Sequence, residues 1–292
     1  IFAAVLGAGL LTACAETPRE QLRTYVTAFD AARDGSRVIY GALDDAVAEA
    51  KALQEPAAAR DCTTGAPAPS CFDPADVLPK PDRPREPSIE ARVVTFEAVA
   101  LYNEALIALA SGATGDALGA RLTSLAGALD KAAGLAGFTG VGALTPLLAA
   151  PVINAFTALA TRVETIRANA EARTALLKDE ALTQDAIQAL IDDTPAVYSL
   201  YLSAQGNVAT AVPGAPLSAA SVAAFQKIPA FHKALGQYVV LLNATDESHE
   251  ALIAELRRPQ SPEARLNTAL DQALEIRSAG RALRDAVRPI AP

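Results

Sequence analysis

The residues of this chain with chemical potential are two histidines, three cysteines and a scatter of carboxylates. A di-metal site in a helical bundle needs two Glu-x-x-His motifs and two further glutamates converging between helices. The chain has one weak analogue, Asp246-x-x-His249, and nothing comparable around His232. The tract Asp246-Glu247-Ser248-His249-Glu250 reads as an acidic, solvated helix face, and His232, beside Phe231, as a packed boundary. No metal ligand is expected. Nucleophilic catalysis by Ser or Cys needs a positioned base, and no G-x-S-x-G is present. Phosphate-cradling glycine loops are missing too: Gly134, Gly137, Gly140 and Gly142 cluster, but with neither the Lys nor the preceding strand that chemistry requires. No catalytic or cofactor-binding residue is therefore assigned, and no cofactor is expected.

Three carboxylates have a suggestive spacing. Glu90, Glu97 and Glu104 are seven apart, which lines them along one stripe of a helix. Such a stripe is either the solvent edge of a central helix or a row of ligating carboxylates. Asp44-Asp45 and Asp192-Asp193 read as ordinary polar helix faces. Tyr198 and Tyr201 suit a groove and plain packing equally.

The N-terminus carries the most specific signal. Residues 1–13, IFAAVLGAGLLTA, hold no charge. They are too short to cross a bilayer as a helix, which takes about 20 residues, but they suit the apolar part of an export signal. The stretch exits through Leu11-Thr12-Ala13-Cys14, which resembles the lipobox of bacterial lipoproteins: a branched apolar residue, two small residues, then Cys. The resemblance covers residues 1–14 only. It implies a signal, here entered part-way, that is cut before Cys14, with lipidation of the Cys14 thiol. It also implies an oxidising, non-cytoplasmic address. Ala15 rather than Asp follows the Cys, which favours the outer membrane facing the periplasm over the inner membrane.

In that compartment Cys62 and Cys71 form an even pair. They bracket the Gly- and Pro-bearing loop TTGAPAPS, whose closure by a disulfide is sterically ordinary. The bond would stabilise the fold by about 2–3 kcal/mol through the unfolded chain. Free thiols and a metal site are the alternatives, and two Cys without a nearby His make a poor zinc site.

The elements that must carry these residues read as helices. Apolar residues make up 51% of the chain and aromatics only 5%, so Ala and Leu, both strong helix formers, supply the core. Thr17-Pro18-Arg19-Glu20 fits a helix start. A seam with alternating steps of three and four runs from Leu22 to Leu53 through Phe29, Ala32, Ser36, Ile39, Leu43, Ala46 and Ala50. Only Ser36 is out of character. Residues 55–87 form a proline-rich, irregular excursion. A helix apolar nearly all round spans about Ser88 to Ser111 and stops at Gly112; another covers 114–136. Residues 132–161 lack any charge and read as a buried helix–turn–helix, an exposed apolar tip or a membrane span. Further helices are expected after Thr183, with a kink at Pro195, from Ser218 to before Pro229, from Ala230 to Arg258, and from Ser261-Pro262 to Arg288. The fold class is all-α, an antiparallel bundle of about seven helices.

Net charge is −8. An acidic chain repels nucleic acid and anionic lipid head groups, and no run of Lys and Arg interrupts the pattern, so nucleic acid is not an expected partner. The leading expectation is a mature domain, residues 14–292, anchored by lipid on Cys14 and acting as a non-catalytic scaffold with an envelope protein partner. One alternative is a membrane-active or lipid-binding protein using residues 132–161. Another is a cell-wall-directed enzyme with two carboxylates about 5–9.5 Å apart.

Overall fold

A computed structural model of the chain describes residues 18–54, 84–113, 115–136, 158, 161, 169–209, 219–257 and 262–290. These residues form eight helices and no strand: α1 Pro18–Gln54, α2 Pro87–Ala110, α3 Gly115–Ala136, α4 Asn169–Lys178, α5 Glu180–Asp192, α6 Thr194–Ala209, α7 Ala219–Arg257 and α8 Pro262–Val287. Pro opens α1, α2 and α8, where its missing N–H costs nothing and its fixed φ already suits a helix. Helix α2 stops where Gly112 takes φ +69°, a left-handed conformation that side chains with a Cβ disfavour.

Helix α2 is the axis of the bundle. Nineteen of its 24 residues are buried, which explains why its sequence is apolar on every side. By length and composition it is also the one described helix able to cross a membrane, yet its surroundings here are other helices. Helix α1 lies antiparallel to it, since Arg33 meets Glu104 and Lys51 meets Glu86. Helix α3 turns back along it, pairing Arg121 with Glu104 and Lys131 with Glu90. Helix α5 also runs antiparallel to α2, through Arg92–Asp193 at one end. Helix α7 runs parallel to α2, with Phe96 against Tyr238 and Asn103 against His249. The seam of α1 is buried as its spacing predicts, from Phe29 and Ala32 through Ile39 and Leu43 to Ala46 and Ala50.

The first and last helices, α1 and α8, run parallel and in close contact. Gly280 stands against the Ala31 backbone and Gly35 against the Leu283 side chain. A Cβ on Gly280 would sit 3.3 Å from the Ala31 carbonyl carbon, so the absent side chain sets the helix separation.

Two boundaries differ from the sequence reading. The helix expected after Thr183 begins at Glu180 and ends at Asp192, and Pro195 occupies the first turn of a new helix instead of kinking an old one. Helix α7 runs unbroken through Pro229. Proline there removes the bond to the carbonyl of Phe225, and Pro229 and Phe225 are both exposed. Cys14, Cys62, Cys71, residues 55–83 of the proline-rich stretch and residues 137–157, 159 and 160 of the uncharged stretch lie outside the described residues.

Candidate functional site

The polar residues singled out by spacing gather around α2 in three groups. The first is the glutamate stripe. Glu104 is buried and receives Arg33 Nη1 at 2.8 Å and Arg121 Nη1 at 2.7 Å. Glu97 pairs with Arg37 of α1 at 3.2 Å. Glu90 takes Lys131 of α3 at 2.6 Å and also Arg85. Burial alone would raise the Glu90 carboxyl, but hydrogen bonds from Lys131 and Arg85 outweigh it and hold the group below its usual range. The stripe is buried at Glu104 and open to water at Glu97, and each of its carboxylates meets a cation. It is a ladder of ion pairs that fastens α1 and α3 to α2. Beside it lies an open groove of about 770 Å³ whose lining mixes both signs: Asp30, Arg33, Asp34, Arg37, Glu97 and Lys131.

The second group corrects the reading of the paired aspartates. Asp193 is buried, and Arg92 Nε and Nη2 donate to its two oxygens at 2.6 and 2.7 Å. Arg92 Nη1 also donates to the Ser88 carbonyl at 2.6 Å. Asp193 sits at the joint between α5 and α6, where its own carbonyl accepts from Ala196 and Val197. The fork-to-fork geometry satisfies both charges, and removing either partner from such a buried pair costs about 3–5 kcal/mol. Asp44 is likewise buried, and its Oδ1 accepts from the Glu86 N–H at 2.9 Å, just ahead of α2. Asp45 and Asp192 are exposed, as expected. Near Arg92, Tyr40 and Tyr238 meet edge to face with hydroxyls 3.5 Å apart. Burial pushes both phenols well above their ordinary range. Ser36, the odd member of the α1 seam, is buried on the same side as Tyr238.

The third group is built on His249. The acidic tract around it has the composition of a solvated face, but His249 and Ser248 are fully buried. The ring packs 5.5 Å from Tyr102, whose hydroxyl donates to the Leu176 carbonyl. His249 Nε2 lies 3.3 Å from the Glu180 carbonyl and Nδ1 lies 3.3 Å from the Asn103 amide. The Glu180 carbonyl and Asn103 Oδ1 are both acceptors, the Asn103 amide nitrogen donating instead to the Val99 carbonyl, so the neutral ring donates to one of the two. Burial, partly offset by Glu180, lowers the imidazole to about 4. Asp246 is pushed up by burial and by Glu250 and Glu247. A small hollow of about 230 Å³ opens beside the ring, lined by Glu180, Gln184, Glu250 and Arg257. Among the described residues no group of three or more His, Cys, Asp or Glu could hold a metal ion. His232 is exposed on α7, edge-on to Tyr198 at 5.2 Å, and Tyr201 stacks on Phe231 at 3.7 Å, so packing accounts for both tyrosines.

A fourth feature escaped the sequence reading. Arg277, Arg281, Arg284 and Arg288 of the α8 region are spaced four, three and four apart, which places them on one side of the helix. Arg281, Arg284 and Arg288 border a surface hollow of about 590 Å³ with Asp285 and Val287 and with Val38 of α1. The signal was in the sequence, but as a helical period and not as a run.

Comparison of the chain with protein-family models, with known proteins and with solved structures finds no match.

Proposed function

We propose that this chain is a lipid-anchored protein of the bacterial cell envelope, held by acyl chains on Cys14 and acting as a helical scaffold that engages another envelope component. The observation that carries the reading is Leu11-Thr12-Ala13-Cys14 at the end of an uncharged apolar stretch. Two or three acyl chains make attachment stable, whereas one alone is marginal. Helix α1 begins at Pro18, so only three residues separate it from Cys14, a reach of about 10 Å. The bundle would then ride close to the lipid surface. Ala15, the residue after the Cys, supports the outer membrane, facing the periplasm, as its address.

The scaffold role draws support from where the buried polar groups point. Arg92, Asp193, Glu104 and His249 each engage another part of the bundle, which is the chemistry of holding helices together. Metabolic labelling with radioactive palmitate tests the anchor. Label should enter the wild-type chain and disappear in Cys14→Ser, with the protein leaving the membrane fraction. Equal labelling of both chains, or none in either, would overturn the reading. The scaffold role fails if pull-down from native membranes recovers nothing above background.

A further inference from the structure

We infer that the arginine stripe of α8 is a docking surface for anionic phospholipid head groups. The stripe runs eleven residues from Arg277 to Arg288, about 16 Å along the helix. Arg281, Arg284 and Arg288 are exposed and Arg277 is half-buried. Among the described residues no carboxylate lies within ion-pair distance of Arg277, Arg281 or Arg284, and Arg288 has only Asp285 at 3.7 Å, with both side chains largely in water. This contrasts with the arginines and lysine around α2, each of which meets a carboxylate. On a chain of net charge −8, four guanidiniums on one side with Asp285 as the carboxylate among them in the hollow leave a local excess of positive charge.

The apolar neighbours choose among anionic partners. Leu274, 50% exposed, sits three residues before Arg277 and seven before Arg281, on the same side of α8, and Val38, 38% exposed, borders the hollow from α1. Guanidinium forks match phosphate oxygens in pairs, while Leu and Val gain by entering the boundary between head groups and acyl chains. The expectation that acidity repels anionic lipid therefore holds for the molecule at long range and is reversed on this side within a Debye length, about 8 Å in physiological salt.

The inference does not require acylation, and its test is arranged accordingly. Full-length chain carrying Cys14→Ser is partitioned onto phosphatidylcholine vesicles with and without about 30% phosphatidylglycerol, a charge density at which each surface arginine contributes appreciably. The apolar N-terminus binds both vesicles alike, so the ratio of the two partition coefficients isolates charge. That ratio should exceed about 10 at low salt and fall as salt rises. Arg281→Gln with Arg284→Gln should lower it at least about five-fold, towards one. Arg281→Lys with Arg284→Lys should retain most of it. Lys227→Gln with Lys233→Gln on α7, the same change in net charge, should leave it unmoved. A ratio near one, or an equal loss in the α7 variant, overturns the inference. Binding to polyglutamate or DNA that depends on the stripe, without vesicle binding, overturns it in favour of an acidic macromolecule. Failure of palmitate labelling alone leaves this result untouched.

Discussion

His249 shows what a single buried side chain contributes. Its ring is enclosed by Tyr102, Asn103 and the Glu180 carbonyl, and burial holds it neutral with a value near 4. The unfolded chain protonates this group near 6.5. Between those values the unfolded state binds the extra proton, so stability is full above about pH 6.5 and declines as pH falls towards 4. The loss attributable to this residue is on the order of 3 kcal/mol. Urea unfolding at pH 7.5 and pH 4.5 should show His249→Gln losing less stability on acidification than the wild type. Identical pH dependence in the two proteins would exclude His249 as the cause.

Among the helices, the glutamate ladder of α2 sets a clear order of costs. Glu104 is buried and holds two arginines from two different helices, so Glu104→Gln removes the anion they share and leaves Arg33, itself only 14% exposed, with the more exposed Asp30 alone. A destabilisation of about 2–4 kcal/mol is expected. Glu97 and Arg37 are both substantially solvated, and Glu97→Gln should cost no more than about 0.5 kcal/mol. Thermal unfolding of the two variants decides the matter, and equal shifts would mean the ladder is not what fastens α1 and α3. The helices themselves were largely legible in the sequence. The starts at Pro18 and Pro262, the stop at Gly112 and the α1 seam all follow from local chemistry. An interruption was legible at Pro195, but not that it is a full break with Asp193 buried against Arg92, 101 residues away.

At the scale of the whole molecule, the fold is closed by its two ends. Helices α1 and α8 are far apart in sequence yet pack in parallel, with Gly280 against the Ala31 backbone. A backbone cannot yield as a flexible side chain can. Gly280→Val should therefore force α1 and α8 apart and cost about 1–3 kcal/mol or more. A Cβ on Gly127 of α3 would meet nothing within 4 Å, so Gly127→Val should be close to neutral. Chemical denaturation of the pair gives the comparison, and similar midpoints would show that the α1–α8 contact is not limiting.

By itself the sequence determined the fold class, the ends of most helices and the buried face of α1, because caps, prolines and a period near 3.6 act within a few residues of where they are read. The lipobox-like Leu11-Thr12-Ala13-Cys14 is equally local. Only the tertiary structure decided the fate of the charged and titratable groups. Asp193, Asp44 and His249 have the sequence setting of solvated residues and are buried, and Glu90, Glu97 and Glu104 found cations on α1 and α3 and next to α2. A polar side chain has the same type and spacing whether it meets water or an arginine from a distant helix, and which of the two it meets is settled only when the helices are brought together.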